Sequence, residues 1–76
     1  MNTKQANVII HVDETLESGQ FSALQGTLGE IDGVSEVRPS TKSHLVQVAY
    51  DPLATQARAI LEQVRRQGLH AQVVGL

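Results

Sequence analysis

Apolar residues along this chain fall at two different spacings, and the order in which the spacings alternate leaves few folds open. Val8-Ile9-Ile10-His11-Val12 is short and rich in β-branched residues, which marks a strand. Phe21, Leu24, Leu28 and Ile31 then recur at intervals of 3, 4 and 3, the stripe of a one-sided helix. Thr15 is the expected N-cap of that helix, Glu17 sits in its first turn, and Gly33 is its expected stop. Val34 to Arg38 reads as a second strand halted by Pro39, followed by a polar hairpin turn through Ser43. Leu45 to Tyr50 alternates, with Val46, Val48 and Tyr50 on one face. Asp51-Pro52 breaks it. Thr55 is the expected cap of a second helix with the stripe Ala57, Ile60, Leu61 and Val64, and Gly68 ends it after Arg65 and Arg66. Leu69 to Val74 closes the series as a strand.

The order βαββαβ predicts an α+β fold of the ferredoxin-like kind: a four-stranded antiparallel sheet with two helices on one face. Within it, the right-handed crossover rule is read as setting the first and third strands side by side and parallel, with the fourth antiparallel to the first. Residues 1–76 form one domain, with an ordered core over about 7–75.

Alternation then assigns the faces. With Val8, Ile10 and Val12 toward the helices, Ile9 and His11 point to the open side of the sheet. Leu45, Gln47 and Ala49 follow them, as do His70, Gln72 and Val74 if Leu69, Ala71 and Val73 face inward. Ile9, Leu45, Ala49 and Val74 compose an apolar patch edged by His11 and His70, a candidate surface for a protein partner or a second copy. His44 reads as a hairpin residue.

Several function classes lack their parts. No cysteine is present, so there is no thiol nucleophile and no disulfide. Ser18, Ser22, Ser35, Ser40 and Ser43 stand in no nucleophile-elbow context, and Gly26-x-x-Gly29 lies in a helical pattern without a phosphate-binding lysine. The chain reads as a non-enzyme. With one Phe, one Tyr and a net charge of −2, it has neither stacking aromatics nor a basic stripe for nucleic acid. There is no apolar run long enough for membrane insertion and no signal-peptide pattern at Met1–Asn7, so the expected location is cytoplasmic.

Three segments carry a family resemblance: Gly33-Val34-x-x-Val37, Val46-x-Val48-x-Tyr50-Asp51-Pro52 and Gln67-Gly68-Leu69. From Val8 to Val74 the chain resembles the heavy-metal-associated (HMA) domain, the family of copper chaperones and of the N-terminal modules of metal-transporting ATPases. That resemblance implies the βαββαβ fold and a loop after the first strand that holds Cu(I) or Zn(II) through Met-x-Cys-x-x-Cys. The methionine position falls on Thr15 and the cysteine positions on Glu17 and Gln20. The aromatic that packs beneath the loop in the family is Leu69 here. The resemblance therefore implies an HMA-like member without the cysteine site and without a resident cofactor, acting as a protein-interaction or regulatory module. Two alternatives stand beside it. One is a carrier or sensor of a divalent transition metal (Zn, Cu(II), Co or Ni) through His11, His70 and Glu17, although structural zinc normally takes four protein ligands. The other is a structural homodimer through the open sheet face. A hard cation at Asp13, Glu14 and Glu17 is disfavoured, because the helix start repels cations.

Overall fold

A computed structural model describes residues 5–39 and 44–75. Strand β1 (Ala6–Val12) leads into helix α1 (Ser18–Gly29), strands β2 (Val34–Pro39) and β3 (Leu45–Tyr50), helix α2 (Ala57–Arg66) and strand β4 (Ala71–Gly75). The sheet order is β2-β3-β1-β4, and each neighbouring pair is antiparallel. This is the expected ferredoxin-like fold with one correction. The α1 crossover joins β1 to β2, which run the same way, and β3 lies between them. β1 and β3 are therefore antiparallel and not parallel; the crossover rule applies to β1 and β2, which are not adjacent.

The face assignment follows the pleat. Val8, Ile10 and Val12 of β1, Val37 of β2, Val46, Val48 and Tyr50 of β3 and Ala71 of β4 are buried against Leu24 and Leu28 of α1 and Ile60 and Val64 of α2. The described residues include no buried polar or charged residue. Burial of a side chain such as Leu28 or Ile60 contributes about 1.5–3 kcal/mol.

Several element ends move from their expected places. α1 begins at Ser18, with Glu17 as N-cap in place of Thr15. The cause is local: the Gln20 side-chain oxygen accepts from the Glu17 N–H at 3.1 Å, one arm of a capping box. α1 stops at Gly29 with Glu30 as C-cap, so Ile31 packs on the core from the turn beyond the helix. Gln56 and not Thr55 caps α2; Thr55 belongs to the preceding turn, its N–H bonded to the Asp51 carbonyl at 3.1 Å. β4 starts at Ala71, two residues after the expected Leu69. The hairpin residues 40–43 lie outside the described residues.

Gly33 is required by that same turn. Its φ is +97°, and a Cβ there would stand 2.7 Å from the Ala54 Cβ. Its carbonyl accepts from the Asp51 N–H at 2.7 Å, joining the α1–β2 turn to the β3–α2 turn.

The two outer strands are finished differently. β2 carries Glu36, Arg38 and Pro39, shifts register between Val34 and Glu36, and has its Val37 carbonyl occupied by the Gln25 side-chain amide at 2.6 Å. β4 reads Ala-Gln-Val-Val-Gly, without charge or proline. Its ladder with β1 is regular from Ala71 to Val73 and shifts beyond, and Arg65 Nε donates to the Ala71 carbonyl at 3.1 Å.

Candidate functional site

Three strands meet the same end of the sheet: β1 leaves it at Val12, β3 enters after His44 and β4 after His70. The topology thus gathers all three histidines of the chain around the β1–α1 loop, residues 13–17. Backbone bonds fix the frame. The Val12 N–H donates to the His44 carbonyl at 2.7 Å, and the Asp13 N–H to the His70 carbonyl at 2.8 Å.

Each ring then takes hold of the loop in its own way. His44 has a left-handed backbone, φ +73°, which histidine adopts more readily than most residues. This turns its ring back over β1, where Nδ1 lies 3.1 Å from the Val12 carbonyl and 3.2 Å from the Glu14 carbonyl. Both partners are acceptors, so this network assigns the proton to Nδ1 and leaves Nε2 without one in the neutral ring. The His44 and His11 rings stack with centroids 5.9 Å apart. His11 Nδ1 is covered and has no aligned hydrogen-bond partner, although Asp13 Oδ1 is only 3.3 Å away. That contact is a charge attraction available when His11 is protonated.

His70 makes the shortest polar contact of the loop. One Glu14 oxygen accepts from the His70 backbone N–H at 2.9 Å, and the other meets the ring Nδ1 at 2.6 Å. The ring hydrogen bond, and after it the backbone one, holds the Glu14 carboxyl below its ordinary value. The same ring bond, reinforced by the Glu14 charge, raises the His70 imidazole above its own. Both side chains are accessible, so water screens the pair and its energetic weight is small.

The residues singled out for a metal do not converge. β1 pairs with β4 so that His11 faces Gln72 and not His70, whose ring is engaged by Glu14. Glu17 is the N-cap of α1. Among the described residues no group of three His, Asp or Glu side chains is placed to hold a metal ion. The chemistry of the donor set also fails for Cu(I), a soft ion that wants thiolates, because oxygen donors stand at Glu17 and Gln20.

Of the residues expected on the open face, Ile9, His11, Leu45 and Ala49 alternate with buried neighbours, whereas His70 precedes β4 and Val74 falls at its register shift. Ile9, His11, Leu45 and Ala49 are half-buried there, and Val74 is 52% exposed. His11 is paired with Leu45 in the ladder, and Ile9 with Gln47. The sequence reading missed the parts played by His44 and Glu14. Their signal is long-range: the contacts span 30 and 56 positions, and no local spacing encodes them.

Solved structures similar to this one share that architecture. The copper-binding domain of HMA7, a P-type ATPase, is 16% identical with a TM-score of 0.82, covering 91% of this chain and 93% of its own. Oxidized MerP from Ralstonia metallidurans CH34 is 17% identical at TM-score 0.80, with 92% and 97% covered. The CopZ metallochaperone is 25% identical at TM-score 0.77, with 91% and 100% covered. The fold is that of the heavy-metal-associated domains. No family model matches the sequence and no curated protein does, so the likeness to HMA domains is one of architecture. Residues 13–17 form the loop between first strand and first helix, and no cysteine lies in it or in the helix that follows. No helix among the described residues is long and apolar enough to cross a membrane.

Proposed function

We propose that this chain is a non-catalytic HMA-fold interaction module, acting in the cytoplasm on a protein partner, whose loop is shaped by its own side chains and not by a bound metal. The observation that supports it best is the Glu14–His70 contact, which closes the β1–α1 loop onto the start of β4 at 2.6 and 2.9 Å. His44 supports it from the β3 side, and the Glu17–Gln20 capping contact from α1. Ile9, His11, Leu45, Ala49, His70 and Val74 are the proposed contact surface, on the face left uncovered by the helices.

Metal titration combined with amide exchange tests this reading. The metal-free protein should protect the Asp13 and His70 amides, and Cu(I) should leave that protection unchanged while a strong Cu(I) chelator retains the metal. Stoichiometric Cu(I) held by the protein against the chelator, or loop amides protected only on metal addition, would sink the proposal. The double change Glu17→Cys and Gln20→Cys should create Cu(I) binding, because it restores two thiolates at the loop. A folded variant that still binds none would show that the loop is not equivalent to the metal-binding one.

A further inference from the structure

The two outer strands set a problem that the open face does not. A sheet edge presents unpaired backbone groups, and proteins guard edges with charge, proline, bulges or a covering side chain. β2 has all four: Glu36 and Arg38, Pro39, a register shift, and Gln25 on the Val37 carbonyl. β4 has no charge and no proline, and its register shift lies beyond Val73, outside the regular stretch Ala71–Val73. One side-chain bond, from Arg65 to the Ala71 carbonyl, guards that stretch. Beside it lies an open trough of about 590 Å³, walled by Arg65, Gly68–Gln72 and Asp13. The trough overlaps the start of that edge at Ala71 and Gln72, and main-chain hydrogen bonds supply the affinity of a strand added to an edge.

From these features we infer that β4 pairs antiparallel with β4 of a second copy, joining two sheets into one across a twofold axis at Gln72. The register follows from the ladder. The His70 carbonyl bonds inward to Asp13 and the Ala71 carbonyl turns outward to Arg65, so Ala71 and Val73 present the free groups. In an antiparallel pair centred on Gln72, Ala71 of one copy meets Val73 of the other, and Gln72 meets itself. A second copy suits this edge because an uncharged strand brings no like charges together. The guarded β2 edge stops further growth, so the contact closes as a dimer and does not extend into a fibre. On joining, the Arg65 side chain yields the Ala71 carbonyl to the incoming strand.

Charge placed on the axis tests the inference. Gln72 is exposed, so Gln72→Lys and Gln72→Glu should both fold, as circular dichroism will confirm. Sedimentation should show concentration-dependent dimerisation of the native protein. Each variant alone should lose it, because two like charges then face each other. An equimolar mixture of the two should recover it, and Arg65→Ala should tighten the native dimer. A native protein that stays monomeric at millimolar concentration overturns the inference, as does a mixture that fails to recover. Dimerisation removed by Leu45→Glu but untouched by Gln72→Lys overturns it too, and points to the open face instead.

Discussion

The two ends of the sheet are built on different principles. At the end holding the α1–β2 and β3–α2 turns, the fit is steric: Gly33 sits at φ +97° with Ala54 where a side chain would be, and Asp51 bonds to its carbonyl. At the other end the fit is polar and exposed, made of three histidines, two acidic side chains and backbone carbonyls. Two of the three segments that carry the HMA resemblance, Gly33-Val34 and Tyr50-Asp51-Pro52, lie at the steric end, and the third, Gln67-Gly68-Leu69, leads into β4 at the polar end. The loop from which the cysteines are missing lies at the polar end. Steric requirements admit few residues and leave a recognisable sequence trace, whereas a solvated loop can be held by many combinations of side chains.

Both ends hang on one core, and removing part of it is the largest test of the contrast. Leu28→Ala or Ile60→Ala should cost about 2–5 kcal/mol and loosen the two ends together, read as a lower urea midpoint and as loss of amide protection at both. A loss under about 1 kcal/mol at both positions would show that the ends do not depend on a shared core. Gly33→Ala should come next. It forces an L residue into a left-handed backbone and against Ala54, at a cost of at least about 1–2 kcal/mol, with the loop histidines keeping their contacts. A neutral result would remove the steric account of that end.

The smallest effect belongs to the polar end and shows itself through pH. Glu14→Gln should narrow the pH dependence of stability without unfolding the domain. Glu14 is held below its ordinary 4.5, so its contribution is present above that value and is lost as pH falls through the lowered pKa. His70 is raised above 6.5, so its contribution is present below that value and is lost as pH rises through the raised pKa. The native protein should therefore gain most over Glu14→Gln between 4.5 and 6.5, by thermal unfolding across the pH range. A difference that is constant with pH would mean that the pair does not titrate as described.

The same contrast explains what could be read from the chain. The core was legible in Val8, Ile10, Leu24, Leu28, Val48 and Ile60, because periodicity encodes which face of an element is buried. The outward placement of Ile9 and Leu45 followed from the same pleat, whereas Val74 falls at the β4 register shift, where alternation no longer fixes its side. Helix starts were less legible. Thr15 and Thr55 are good caps by composition, yet the Gln20 contact favours Glu17 at the first helix, and at the second Thr55 is taken up in the turn that Asp51 closes. Strand direction was misread because the crossover rule was applied to neighbouring strands when β3 separates the pair it governs. At the loop the decisive partners are far apart in sequence. Glu14 and His70 are 56 positions apart, and only the folded strand order brings them together.

That strand order also has a kinetic side. β1 is bonded on one side to β3 and on the other to β4, the last of the described elements. β1, first in sequence, is thus completed only when β4 pairs with it, and that pairing needs a long loop closure, which slows folding relative to local contacts. Until β4 arrives, an edge of β1 that is central in the native sheet stands open, with Val8, Ile10 and Val12 on a half-built core. Conditions that delay β4 docking should prolong a species whose sticky edge belongs to β1, and early aggregation should follow the lifetime of that species more closely than native stability.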